Sequence, residues 1–238
     1  RYNHAVALGE LKRYGEALES YDQVIALKPD HVDAYFNRGV LLYELNRPAE
    51  ALASYERVIA LKPDYADAYN NRGIVLGELQ RHEEALASYE RALEIKPDYA
   101  KTYNNRGVAL GNLQRYAEAL ASHERAIALN PDYSEAYNNR GNVLHDMERY
   151  AEALESHDRA IALDADYADA YYNRGNALRG LHRHTEAIDS FERAISLKPD
   201  HASAHWNLAD CRLLLGDFAR GWNEYEWRWK LEQWGKTR

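Results

Sequence analysis

The chain has 238 residues, a net charge of −8 and 46% hydrophobic residues, with acidic and basic side chains interleaved. That balance argues against a general phosphate-binding surface, because nucleic-acid binders carry a basic face. The single cysteine, Cys211, excludes an internal disulfide and fits a cytoplasmic protein, and no apolar run approaches the roughly 20 residues of a membrane span.

The chain opens on "RYNHAVALGE", inside a repeat, and closes on "WGKTR". It is therefore expected to be part of a longer protein. A partial unit, Arg1–His31, is followed by five full units from Val32 to His201. Tyr35, Tyr69, Tyr103, Tyr137 and Tyr171 fall at a fixed step of 34, and Gly39, Gly73, Gly107, Gly141 and Gly175 keep it. A constant step of this length specifies a linear array of one supersecondary unit rather than one closed core. In the unit Ala66–Tyr99, Tyr69, Gly73 and Leu76 recur at helical spacing. So do Ala85, Tyr89 and Ala92, after a polar break at Gln80–His82. The pattern predicts two amphipathic helices joined by a tight turn. Pro97 stops the second helix, and Asp98 is expected to cap the next one. The array is expected over residues 1–201, with a divergent seventh unit and an aromatic C-terminal helix over 202–238.

Tyr69, Gly73, Leu76, Ala85, Tyr89, Ala92 and Pro97 stand on the pattern of the tetratricopeptide repeat (TPR), which the chain resembles over nearly its whole length. The resemblance implies an all-α fold, a right-handed superhelical solenoid of antiparallel helix pairs with about seven repeats. It also implies a protein-protein interaction module that binds a partner along its concave groove. The 34-residue step and acidic balance disfavour the RNA-reading pentatricopeptide alternative. The departure lies before the repeat glycine. There the family's Leu is replaced by Arg38, Arg72, Arg106, Arg140 and Arg174.

On a helical wheel of about 100° per residue, Arg72 sits beside the Tyr69–Gly73–Leu76 stripe. Its stem is expected to lie on apolar side chains. Its head is expected to meet a carboxylate across the helix pair, from the column Glu56, Glu90, Glu124, Asp158 and Glu192. Asn71 falls on the far side. Asn3, Asn37, Asn71, Asn105, Asn139, Asn173 and Asn207 form an unbroken column on the face that lines the groove in the TPR family. A carboxamide both donates and accepts, so a row of them can hold an extended peptide backbone. The TPR region of O-GlcNAc transferase is similar in having such a ladder. The same residues can equally bond to the adjacent repeat. The wheel adds Asn70, Asn104, Asn138, Asn142 and Asn176 to the groove. Its charges are mostly acidic, so a neutral or basic peptide is the expected partner. The Asn lack the Lys and Arg that chaperone-tail-binding TPR domains place beside them.

No nucleophile–base pair or carboxylate dyad stands apart from the repeat columns, so no catalytic residue, cofactor or metal site is expected. His182 and His184 read as turn residues, and His201 and His205 lack a third ligand. His123 and His157, in the column that is otherwise Tyr or Phe, read as core imidazoles able to make stability acid-sensitive. "GKT" at Gly235–Thr237 lacks the first glycine of a phosphate loop, Lys230 standing there.

After Leu213 the pattern changes. Phe218, Trp222, Tyr225 and Trp229 follow helical spacing and are expected to face the core. Trp227 and Trp234 point elsewhere and are expected to form a docking surface, with weak self-association or a following domain as its occupant. The run "GDFARGWNEYEWRW" resembles the junction of bacterial proteins in which a TPR array leads into a glycosyltransferase-like domain.

Overall fold

Each unit's apolar positions recur at helical spacing on either side of a short polar break, and helices form where that spacing holds. The computed structural model describes residues 1–229, which fold into α-helices with no strand among the described residues. In chain order these are α1 (Tyr2–Glu10), α2 (Tyr14–Leu27), α3 (Val32–Glu44), α4 (Pro48–Leu61), α5 (Ala66–Glu78), α6 (His82–Ile95) and α7 (Ala100–Asn112). They continue as α8 (Tyr116–Leu129), α9 (Ser134–Asp146), α10 (Tyr150–Leu163), α11 (Ala168–Gly180), α12 (His184–Leu197), α13 (Ala202–Leu214) and α14 (Phe218–Tyr225). The chain divides into two compact units, residues 1–118 and 119–238, with the boundary inside α8.

In the first unit α1 packs on α2, α3 on α4 and α5 on α6, and each pair packs on the helix that follows it. Ala5, Leu8, Ala17, Tyr21, Leu42, Ala51, Tyr55, Leu76, Ala85 and Tyr89 belong to its continuous core. In the second unit α9 packs on α10, α11 on α12 and α13 on α14. Its core includes Leu144, Ala153, Ala160, Leu178, Phe191, Ala194 and Leu208.

The repeat glycine sets the helix separation. A Cβ at Gly39 would stand 2.8 Å from the Tyr55 ring. The same close approach recurs between Gly73 and Tyr89, Gly141 and His157, and Gly175 and Phe191. Any larger residue pushes an aromatic knob out of its hole. The turn within each pair carries one left-handed residue. Among the described residues it is non-glycine at Lys12 (φ 57°), Asn46 (56°), Gln80 (59°), Gln114 (59°), Glu148 (59°) and His182 (59°), and glycine only at Gly216 (84°). His182 is thus a turn residue, as its spacing predicts.

The cap expected of Asp98 is corrected. Tyr99 is the N-cap residue of α7 and makes no side-chain cap bond. The first helices start one residue later than the Pro-Asp pair suggests, and the aromatic at that position packs between repeats instead. Side-chain caps occur where His replaces this Tyr. His31 Nδ1 accepts from the Ala34 N–H and His201 Nδ1 from the Ala204 N–H, each at 3.3 Å.

Candidate functional site

The asparagine column stands on the first helix of each pair, half-buried at Asn37, Asn71 and Asn105 in the first unit and at Asn139, Asn173 and Asn207 in the second. Its amides are oriented by the preceding repeat. Asn37 Nδ2 donates to the Tyr2 hydroxyl at 2.7 Å, and Asn105 Nδ2 to Asn70 Oδ1 at 3.1 Å. Asn173 Nδ2 donates to Asn138 Oδ1 at 3.1 Å, and Asn207 Nδ2 to the Tyr172 hydroxyl at 3.4 Å and Asn176 Oδ1 at 2.7 Å. At Asn71 the residue 35 positions earlier is Phe36, which has no acceptor. Asn71 Oδ1 instead accepts from Asn70 Nδ2 at 3.1 Å, and its side chain meets the Tyr55 hydroxyl.

The expectation that Asn70, Asn104 and Asn138 line the groove is corrected. They are 2%, 0% and 3% exposed. Asn70 Oδ1 also accepts from the Thr102 hydroxyl at 2.9 Å, and Asn138 Nδ2 donates to the Tyr167 hydroxyl at 3.3 Å. A wheel drawn for one helix cannot register the next repeat, and that repeat covers this position. Buried amides must find partners, and Asn70 and Asn138 serve as acceptors for Asn105 and Asn173 of the ladder. Asn142 and Asn176 are half-buried and line a cavity with Asn173.

The arginine column is semi-buried, as its angle predicts, but its carboxylate partner lies one repeat earlier. Arg38 meets Asp22 at 2.7 Å, Arg72 meets Glu56 at 3.8 Å and Arg106 meets Glu90 at 3.4 Å. Arg140 meets Glu124 at 3.5 Å and Arg174 meets Asp158 at 2.6 Å. Pairing Arg106 with Glu124 across its own helix pair is thereby corrected. The own-pair contact is a serine. Arg38, Arg72, Arg140 and Arg174 donate to Ser54, Ser88, Ser156 and Ser190 at 2.8, 2.8, 2.6 and 2.6 Å. Sequence reading missed this serine column, although Ser54, Ser88, Ser122, Ser156 and Ser190 keep the repeat step. Arg38, Arg72, Arg140 and Arg174 thus each tie a second helix to the second helix before it. In the seventh unit Leu208 stands at the arginine position. Arg212, one turn on, meets Glu192 at 2.5 Å and Glu224 at 3.2 Å.

The aromatic end is also rearranged. Phe218, Trp222 and Trp229 are 61%, 56% and 49% exposed, so the expected core-facing stripe is corrected. The small residue of the repeat pattern, Gly221, is the buried position of α14 and lies against Leu213. The helix ends at Tyr225, so a wheel carried on to Trp229 loses its register. Trp227, expected on an outward docking face, is half-buried and stacks on the His205 ring, with centroids 3.8 Å apart and planes at 2°. Trp234 lies outside the described residues.

Burial holds His123 down at about 4 and His157 at about 3, so both imidazoles are neutral near pH 7. Cys211 is buried and its thiol is pushed up to about 11, which leaves it protonated. Among the described residues no group of three or more His, Cys, Asp or Glu is placed to hold a metal ion. No described helix is long and apolar enough to cross a membrane.

Family models described as tetratricopeptide repeat match residues 2–65, 41–100, 100–133 and 132–200. We found no match among curated proteins. Among solved structures, YrrB, "a TPR protein with an unusual peptide-binding site", is 28% identical with a TM-score of 0.61. The match covers 79% of this chain and 96% of that one. MamA from Desulfovibrio magneticus RS-1 is 24% identical with a TM-score of 0.62, over 71% of this chain and 95% of that one. Pseudomonas aeruginosa pilF is 20% identical with a TM-score of 0.73, over 81% of this chain and 88% of that one. The last two likenesses speak for the fold alone.

Proposed function

The chain belongs to the tetratricopeptide repeat family, and from that premise we propose that it is a non-catalytic protein-binding module. Asn37, Asn71, Asn105, Asn139, Asn173 and Asn207 take hold of an extended segment of a protein partner. One observation carries the reading. Half-buried amides on the first helices are pre-oriented from the repeat before, by one bond each at Asn37, Asn105 and Asn173 and by two at Asn207. A carboxamide has two N–H donors and an acceptor oxygen. One donor spent on a neighbour leaves the rest for a peptide backbone, at little further ordering cost. The peptide-binding site named for YrrB points the same way. The net charge of −8 favours a neutral or basic segment, in a cytoplasmic setting.

The test is to pan a library of random displayed peptides against the protein. Enriched peptides are then titrated against wild type and an Asn71→Ala/Asn173→Ala variant, with melting curves in parallel. Enrichment of neutral or basic peptides that bind the variant at least tenfold more weakly is the expected result. No enrichment ends the peptide-binding reading, and undiminished binding to the variant ends the role of the ladder.

A second reading, self-association, is favoured by one observation. Phe218, Trp222 and Trp229 are exposed together at the end of the described chain, and apolar patches of this kind mark contact surfaces.

A further inference from the structure

In the second unit, α9, α10 and α11 enclose a cavity of about 200 Å³ lined by Asn142, His145, Asp146, His157, Asn173 and Asn176. Drug-sized ligands occupy about 300 Å³ or more. A liquid water takes about 30 Å³, so this cavity suits one amino-acid side chain. It exists because of what the sequence substitutes there. Where Asn142 and Asn176 stand, earlier repeats carry Val40, Ile74 and Val108. Where His157 stands, the repeat before carries His123 and others carry Tyr55, Tyr89 or Phe191. A smaller, polar ring replaces a large aromatic, and two amides replace aliphatic side chains.

His157 is 0% exposed, and neither of its ring nitrogens has a hydrogen-bond partner. An unsatisfied buried polar group is costly, and here it borders a space with room for a partner. The remaining walls favour a donor. The Asp146 carboxylate is an acceptor. Asn173 has given an N–H to Asn138, and its carbonyl oxygen is a further acceptor on the wall. No lysine or arginine lines the cavity. Arg179, one turn beyond Asn176 on α11, is held by Asp210 at 2.6 Å.

We propose that this cavity is a specificity subsite for one arginine side chain of the bound segment, received by Asp146 and the asparagine carbonyls over the buried His157 ring; it rests on the peptide-binding reading above. A guanidinium carries five donors in a fixed plane and no acceptor, which matches walls rich in acceptors. A carboxylate or phosphate would meet the Asp146 carboxylate with no lysine or arginine on the wall to offset it.

The probe is N-acetyl-arginine methylamide, titrated into the ¹⁵N-labelled full chain while the histidine-ring and asparagine-amide signals are followed. The citrulline and glutamate counterparts serve as controls. The expected result is a saturable shift at His157 and Asn142 with the arginine probe. Citrulline should bind at least tenfold more weakly, and glutamate should give no shift. His157→Phe should fill the cavity and abolish the response. It is compatible with the fold, because Phe191 already stands against Gly175 as His157 stands against Gly141. Asp146→Asn keeps the shape, removes the charge and should weaken the arginine probe at least tenfold. Equal binding of citrulline, or an unchanged response in either variant, overturns the proposal. An enriched peptide whose affinity is the same with alanine in place of its arginine also overturns it, while leaving the groove reading intact. Saturation by the probe at His157 with no peptide enriched supports the cavity and sinks the groove.

Discussion

Asn105 donates its amide N–H to the Oδ1 of Asn70, 35 positions earlier and 3.1 Å away. The same step joins Asn37 to Tyr2, Asn173 to Asn138 and Asn207 to Tyr172. The ladder that a sequence reader assigns to a ligand is therefore also a row of repeat-to-repeat bonds. The two roles are compatible at Asn37, Asn105 and Asn173, where the bond uses one donor of two, whereas Asn207 spends its amide on Tyr172 and Asn176 together.

This dual role has a measurable consequence. Asn105→Ala should cost about 1 kcal/mol, the net worth of one such bond. The loss stays small because Asn70 Oδ1 keeps the Thr102 hydroxyl. Thr102→Val, which removes the other donor to the same buried oxygen, should cost a similar amount. The double variant, leaving that oxygen without either donor, should lose more than the sum. Strict additivity in urea unfolding would show that Asn70 is satisfied by other means.

Arg174 lies between Asp158 and Ser190, 2.6 Å from each. The carboxylate is half-exposed, so the ion pair itself is worth only ~0.2–1 kcal/mol. A double-mutant cycle on Arg174 and Asp158 should return a coupling in that range. Arg174→Leu, the ordinary family residue, should change stability by less than about 1 kcal/mol, while Arg174→Ala should cost more through lost packing of the stem. If alanine and leucine behave alike, the stem packs on nothing that matters.

The repeat step, helix pairing and core columns were legible in the sequence because each follows from spacing within one unit. So was the semi-buried position of the arginines. What one unit cannot encode is the offset to its neighbour. That offset sends Arg106 back to Glu90 rather than across to Glu124, and buries Asn70 and Asn138 beneath the next repeat. The serine column was legible in the repeat step and went unread, because a small hydroxyl carries no periodic hydrophobic signal. The cavity beside His157 needed both kinds of information. The substitutions are in the sequence, but the space they leave is bounded by three helices.

Acid should weaken the second unit through His123 and His157. Their folded values, about 4 and about 3, lie below the ~6.5 of an unfolded imidazole. The unfolded chain therefore takes up these protons first as pH falls. The stability is whole above about pH 6.5 and declines below it toward the folded values. At ~1.4 kcal/mol per pH unit for each ring, the two cost about 4 kcal/mol by pH 5. His123→Tyr/His157→Phe should keep a melting temperature that falls much less than wild type between neutral pH and pH 5. Parallel curves for the two proteins would mean that the rings are protonated without unfolding.

The tryptophans of the last unit should divide into two kinds. Trp227 stacks on His205, whose Nδ1 faces Glu224 at 2.5 Å and whose Nε2 faces the Pro199 carbonyl at 3.0 Å. A carbonyl can only accept, so Nε2 carries a proton. Arg212 meets the same Glu224 at 3.2 Å, which ties α13 to α14 beneath the indole. Trp227→Ala should therefore destabilise this unit by about 2–4 kcal/mol, because it uncovers a charged cluster as well as removing a large side chain. Trp222 is exposed, and Trp222→Glu should leave the stability within about 1 kcal/mol of wild type. It should instead act on association. Wild type is expected to self-associate weakly, at micromolar concentration or above, with Trp222→Glu monomeric throughout. Sedimentation velocity over a wide concentration range separates the two. If wild type and Trp222→Glu sediment identically as monomers, the exposed aromatic face of α14 holds no second copy, and the self-association reading is withdrawn.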